Sequence, residues 1–206
     1  MAKSDWRASS KLDPVMLFFF AMACCFCTVA LAGDGLAARK CAVDDQILPR
    51  YGIGVNLGLG YDPSETRNFM SITGFVLYDY EDIWPHRAPD QLKFKLEGSL
   101  GTTMRSSPDF IASAGFLALY YFEGLSNRLL RPYIEGGVGL IYTEYKVKGQ
   151  GSKLNFNPQA GLGIEFSPQS GPDFWVSLRL HHLSNAGLNK DNRGVNSLVL
   201  QTGKLF

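Results

Sequence analysis

From Tyr51 to Phe206 the chain alternates apolar and polar positions with a period of two, as expected of β-strands with two unlike faces. In the first segment Tyr51, Ile53, Val55, Leu57, Leu59 and Tyr61 share one face; Gly52, Gly54, Asn56, Gly58, Gly60 and Asp62 share the other. Further on, Leu92, Phe94 and Leu96 oppose Lys93, Lys95 and Glu97. Leu154, Phe156, Ala160, Leu162, Ile164 and Phe166 oppose Asn155, Asn157, Gln159, Gly161, Gly163 and Glu165. Val176, Leu178 and Leu180 oppose Ser177, Arg179 and His181. The pattern predicts eight strands, at about 51–62, 69–81, 91–104, 109–122, 129–146, 154–167, 173–184 and 195–206. Turn chemistry separates them, as in Asp62-Pro63-Ser64, Ser106-Ser107-Pro108-Asp109 and Gly149-Gln150-Gly151-Ser152. The second and fourth segments carry apolar residues on both faces, and their orientation is left open. No amphipathic helix is expected among these segments.

Alternation does not say which face is inside. An outer-membrane barrel turns its apolar face outward, whereas a soluble, lipocalin-like periplasmic carrier turns it inward. Three features favour the membrane arrangement: an export signal, a final aromatic residue (Phe206) of the kind that ends bacterial outer-membrane barrels, and a polar face mixing glycine with both signs of charge. A narrow barrel has little interior room, so small residues beside paired charges suit an inward filling. Each segment also reaches the ~9–11 tilted residues that cross a bilayer. The expected fold is therefore all-β, an eight-stranded antiparallel up-and-down transmembrane β-barrel whose filled interior excludes a porin. Tyr51, Tyr61, Tyr78, Tyr80, Trp84, Tyr120, Tyr121, Tyr142 and Trp175 are candidates for interfacial girdles or for interior packing.

The 206 residues begin with Lys3, Arg7 and Lys11 before an apolar run from Val15 to Ala32, where Ala30-Leu31-Ala32 offers a signal-peptidase site. The alternatives are a retained anchor and, less well matched, a lipoprotein at Cys24. The expected organisation is a signal peptide over 1–32, an N-terminal periplasmic leader over 33–50 and the barrel over 51–206. Cleavage after Ala32 removes Cys24, Cys25 and Cys27, leaves Cys41 without an intrachain partner, and leaves 17 basic and 17 acidic residues. That balance excludes a nucleic-acid partner, which requires a basic excess.

The seventh segment ends in His182-Leu183-Ser184-Asn185-Ala186-Gly187. Residues two apart on a strand project from the same side, so His182 and Ser184 share a face with Leu180, Leu178 and Val176. An imidazole within reach of a hydroxyl is how a serine nucleophile is activated. In a membrane barrel this pair lies on the outer, lipid-facing wall, where a hydrolase acts on lipid. Eight strands with periplasmic termini place it near the extracellular end. Asn196, early in the returning strand, shares a face with Leu198 and Leu200, and antiparallel pairing brings it toward His182.

The arrangement resembles the outer-membrane lipid A 3-O-deacylases, the PagL-like, acyloxyacyl hydrolase-related barrels. The resemblance rests on residues 182–187 and on Arg193-Gly194-Val195-Asn196-Ser197-Leu198, with support from Arg131-Pro132-Tyr133-Ile134-Glu135-Gly136-Gly137-Val138-Gly139 and Phe156-Asn157-Pro158-Gln159-Ala160-Gly161-Leu162-Gly163. It implies hydrolysis of the 3-linked acyl ester of lipid A, with lipopolysaccharide and outer-membrane lipids as partners, no cofactor and no metal; a homodimer is left open. Ser184 is the implied nucleophile and His182 its general base, with Asn185 and the backbone N–H of Gly187 as the oxyanion hole. Where the family's characterised enzymes carry glutamate, this chain carries Asn196. An asparagine oxygen still accepts from the imidazole but supplies no charge, and a wrong tautomer costs ~10⁴-fold in a serine-protease triad. Asp191 is the candidate substitute, and Asn196→Glu is expected to raise activity.

The remaining candidates take plainer readings. His181 faces the interior near Arg179. His86 sits in a distant turn. Lys190 and Arg193 are either contacts for lipid A phosphates or solvated loop charges. The competing reading of the whole chain is a structural barrel whose site has decayed.

Overall fold

The computed structural model describes residues 49–206, apart from Glu65 and Pro85; the expected signal peptide, most of the leader and Cys41 lie outside them. Eight strands follow in chain order: β1 (Arg50–Asp62), β2 (Phe69–Asp79), β3 (Leu92–Thr103), β4 (Phe110–Tyr121), β5 (Leu130–Thr143), β6 (Leu154–Phe166), β7 (Phe174–Leu183) and β8 (Val195–Leu205). Each pairs antiparallel with its neighbours, and β8 pairs with β1 to close the barrel. A single helical turn, α1 (Tyr80–Ile83), and a 3₁₀ turn (Glu123–Leu125) lie at the end that holds both termini. The opposite end carries loops 63–68, 104–109, 144–153 and 184–194.

The strand bounds fall close to those expected, with two differences. The second strand stops at Asp79, where α1 begins. The fifth stops at Thr143, because Tyr145 and Val147 fold inward over the barrel mouth and are buried there.

The apolar face points outward. Val55, Leu100 and Leu162 are 56%, 63% and 62% exposed, while Lys95, Glu135 and Arg179 on the opposite face are 1% exposed or less. This is the reverse of a lipid-carrying soluble barrel. The interior charges are paired, as buried charges must be. Arg179 Nε and Nη2 donate to Glu135 at 2.6 and 2.9 Å, Arg179 Nη1 donates to Glu97 at 2.6 Å, and Lys95 Nζ donates to Glu135 at 3.0 Å. Near the termini, Glu165 gathers Arg50, Arg131 and the Tyr121 hydroxyl.

Two apolar clusters flank the central charged layer. Toward the termini lie Phe75, Leu77, Leu117, Leu119, Tyr121, Tyr133, Trp175 and Leu205. Toward the loops lie Phe69, Ile111, Ile141, Tyr145, Val147, Leu183, Val195 and Val199. These plugs explain why β2 and β4 alternate poorly: their inward faces are themselves largely apolar. Gly52 and Gly58 make room for the rings of Phe75 and Phe69; a Cβ at either glycine would come within 2.2 Å of them. The aromatic candidates divide accordingly. Tyr51, Tyr61, Trp84 and Tyr142 are exposed, whereas Tyr121 and Trp175 are interior, with Lys95 Nζ 5.4 Å from the Trp175 ring.

Candidate active site

The ladder between β7 and β8 sets His182 directly opposite Asn196. Paired residues in an antiparallel ladder point to the same side, and here that side is the outer wall. The imidazole Nδ1 lies 2.6 Å from Asn196 Oδ1. Beyond the end of β7 the pairing with β6 continues through an isolated bridge between Ser184 and Phe156, with backbone hydrogen bonds of 2.8 and 3.1 Å. Ser184 therefore keeps strand geometry and projects from the same wall as His182.

The pair is not open to the surroundings, as a bare wall position would be. His182 and Ser184 are only 2% and 4% exposed. Ser184 Oγ is buried and makes no hydrogen bond, to His182 or to any other group. The backbone of Gly194 lies against the other edge of the imidazole. A Cβ there would stand 2.6 Å from His182 Cε1 and 3.3 Å from Nε2.

The expected oxyanion donors lie beside the serine, but they are engaged within the loop. Asn185 Nδ2 donates to the Asp191 carbonyl at 2.8 Å, and Asn185 Oδ1 accepts from the Gly187 N–H at 3.0 Å. Asn185 N–H donates to Asn192 Oδ1 at 2.8 Å. An amide nitrogen carries two protons, so Asn185 retains a second donor, whereas the Gly187 N–H is committed. Ala186 and Gly187 both have positive φ, 54° and 81°, which turns the chain sharply after the strand. Loop 184–194 is held in turn by loop 144–153. Gly151 N–H donates to the Asp191 carbonyl, and Arg193 N–H to the Gly149 carbonyl, both at 2.8 Å.

The carboxylate near Asn196 comes from an unexpected direction. Asp191 is exposed in the loop and contributes its carbonyl to Asn185. Asp62, at the far end of β1, accepts from Asn196 Nδ2 at 2.9 Å and from Arg193 Nη2 at 2.7 Å. Strict alternation assigns Asp62 to the inward face. The β1–β8 register shifts between Gly60 and Asp62, so Asp62, not Tyr61, pairs with Asn196. A bulge inserts one residue and re-aims the side chains beyond it; here it turns Asp62 outward. Sequence reading missed the contacts that Asp62 and Gly194 make here; for Asp62 the reason is that a register shift leaves no local signal.

The other candidates lie apart. His181 is interior and buried, with neither ring nitrogen hydrogen-bonded. His86 is exposed at the terminal end, away from the site. Lys190 is exposed in the last loop, while Arg193 is tied to Asp62. Among the described residues, no group of three His, Cys, Asp or Glu side chains gathers to hold a metal ion.

A family model for lipid A 3-O-deacylase (PagL) matches residues 51–204, essentially the whole barrel. The chain belongs to the lipid A 3-O-deacylase (PagL) family. It is 36% identical over 91 residues to the lipid A deacylase PagL of Pseudomonas aeruginosa, a match covering 43% of this chain and 50% of that protein. The alignment thus spans about half the length of that curated relative. Among solved structures, the crystal structure of the outer membrane enzyme PagL aligns with a TM-score of 0.55 at 22% identity, over 74% of this chain and 97% of that one. Neisserial surface protein A aligns with a TM-score of 0.57 at 14% identity, over 76% of this chain and 95% of that one. At these identities both likenesses are to the fold. With its outward apolar wall and paired interior charges, this member of the PagL family is an outer-membrane β-barrel.

Proposed function

We propose that this barrel hydrolyses the 3-O-linked acyl ester of lipid A by a serine-esterase mechanism. Ser184 is the nucleophile, His182 the general base, Asn196 its orienter, and Asn185 with Gly187 the oxyanion hole. The observation that carries the reading is the 2.6 Å contact between His182 Nδ1 and Asn196 Oδ1, with Ser184 on the same outer face. Asparagine oxygen accepts only, so it selects the tautomer with the proton on Nδ1 and leaves Nε2 free to take the serine proton.

The chemistry then follows in two halves. Ser184 Oγ attacks the ester carbonyl as its proton passes to His182 Nε2. The bond to the sugar oxygen breaks, and that oxygen takes the proton from Nε2. Water repeats the sequence on the acyl-serine and releases the fatty acid. The carbonyl oxygen carries negative charge in both tetrahedral intermediates, and one well-placed donor there contributes ~3–4 kcal/mol. The second N–H of Asn185 supplies one such donor. Gly187 supplies another once its N–H leaves Asn185 Oδ1 for the stronger acceptor.

His182 and Ser184 lie on the lipid-facing side, buried there in the free protein, at the end of the barrel opposite the termini, which is the extracellular end in a barrel with periplasmic termini. The acyl chain of the substrate then lies along the apolar wall beside Leu180 and Phe156.

Mass spectrometry of lipid A incubated with the refolded barrel tests the reading, with Ser184→Ala alongside. Loss of one 3-linked acyl chain with the parent alone is the expected result. Unchanged lipid A with a folded parent barrel makes the chain a structural member of the family.

A further inference from the structure

We infer that Asp62 is a positioning residue for the proposed reaction, supplying from β1 the carboxylate that Asn196 does not carry. The inference rests on the esterase reading above, but its main readout does not require turnover.

The argument starts from an ambiguity of asparagine. Its amide presents an acceptor on one side and a donor on the other, and it can bind neutral imidazole either way round. With Oδ1 toward the ring, the imidazole keeps its proton on Nδ1 and offers Nε2 as the base. With Nδ2 toward the ring, Nδ1 is the acceptor, the proton moves to Nε2, and the nitrogen that must receive the serine proton is blocked. A glutamate at this position has no such choice, because both its oxygens accept.

Asp62 removes the choice. A carboxylate only accepts, so an amide beside it must turn its nitrogen that way. Asn196 Nδ2 donates to Asp62 Oδ2 at 2.9 Å, which leaves Oδ1 facing His182 Nδ1 at 2.6 Å. Arg193 holds the second carboxylate oxygen at 2.7 Å and fixes the rotation of Asp62. The result is a line from Arg193 through Asp62 and Asn196 to His182, in which every donor meets an acceptor. As the serine proton reaches Nε2, the imidazolium forms at the end of this polarised chain of hydrogen bonds. The register shift between Gly60 and Asp62 is the backbone device that permits this, since an unbroken ladder would set Tyr61 opposite Asn196.

The test combines ¹⁵N-histidine NMR with kinetics on the refolded full barrel in detergent. His182 signals are assigned by their loss in His182→Gln. In the parent, neutral His182 is expected to carry its proton on Nδ1. In Asp62→Ala, which frees the Asn196 amide to rotate, a mixture of the two tautomers is expected. An identical tautomer in both barrels overturns the inference, whether or not the parent hydrolyses lipid A. Absence of turnover with the tautomer change present overturns the esterase reading and leaves the positioning intact.

Kinetics add a readout that a merely structural role does not move. Asp62→Ala should lower kcat about 10-fold, the scale of one charge-assisted hydrogen bond, with KM little changed. In the Asn196→Glu background there is no amide to orient, and Asp62 becomes a like charge beside the new carboxylate. There Asp62→Ala should raise kcat instead of lowering it. An equal loss in both backgrounds makes Asp62 a structural contact and overturns the inference. Heat-modifiable migration in gels shows for each variant that the barrel has folded.

Discussion

His182 Nδ1 and Asn196 Oδ1 lie 2.6 Å apart across directly opposed positions of β7 and β8. The hydrogen bond is held by two paired strands, not by a loop, so the imidazole has a fixed orientation before any substrate arrives. A hydrogen bond to a group that becomes charged is worth ~1.5–3 kcal/mol. Asn196→Ala should therefore cost about 10- to 100-fold in kcat, with KM nearly unchanged. Steady-state hydrolysis of lipid A measures both. A rise in KM at unchanged kcat would mean that Asn196 contacts substrate instead.

Gly194 and His182 form a second contact that permits no side chain. A Cβ at Gly194 would stand 2.6 Å from His182 Cε1, so Gly194→Ala must displace the ring from its present position. A misplacement of about 1 Å in a reacting group costs ~10²-fold. The expected variant folds normally, as shown by heat-modifiable migration, and loses about that much activity. Wild-type rates from Gly194→Ala would show that the ring moves freely and that its orientation is not set here.

Glu135 bridges Lys95 and Arg179 in the barrel interior, where all three are almost wholly inaccessible to solvent. Glu135→Ala leaves two buried cations with one remaining carboxylate, Glu97, whose nearest approach to Lys95 is 3.9 Å. Removing one partner of a buried ionic group costs ~3–5 kcal/mol. Equilibrium urea unfolding of the barrel in liposomes should show a loss of that size. A loss below about 1 kcal/mol would mean that water enters the interior and solvates the freed cations.

How far the sequence spoke depends on the range of the signal. Strand alternation is local and came through clearly in β1, β3, β6 and β7, where one face is apolar and the other small, polar or charged. It failed in β2 and β4, where Phe69, Phe75, Leu117 and Leu119 fill apolar plugs at the two ends of an otherwise polar interior. The approach of Asn196 to His182 was legible because each sits a few residues from the turn that joins its strand to the other; their direct opposition was not, because alternation alone does not set the register. Asp62 was not. It is 134 positions from Asn196 in the chain, meets it only through barrel closure, and points outward only because a bulge breaks the pattern that assigned it inward. The commitment of the Gly187 N–H to Asn185 Oδ1, by contrast, is a local Asx turn spanning two residues, a signal the sequence carries and the reading of the strands passed over.

Leu178 and Leu188 separate a lipid-facing wall from a merely exposed one. Leu178 lies midway along β7 on the outer face and is 48% exposed; Leu188 lies in the last loop and is 83% exposed. If exposure alone set the cost, a lysine at Leu188 would be at least as well tolerated as one at Leu178, but both would fall within the ~0.5 kcal/mol typical of surface changes. A lipid wall makes them unequal. Leu178 falls near the middle of the membrane-spanning strand, where a lysine costs ~2–4 kcal/mol, and a loop position costs almost nothing. Leu178→Lys should therefore destabilise the barrel by that amount in liposomes, measured by reversible unfolding, while Leu188→Lys should not. The same pair places the proposed chemistry, because Leu178, Leu180 and His182 stand on one face of one strand. If both lysines are tolerated alike, that wall does not lie in lipid, and an acyl chain has no apolar medium from which to approach Ser184.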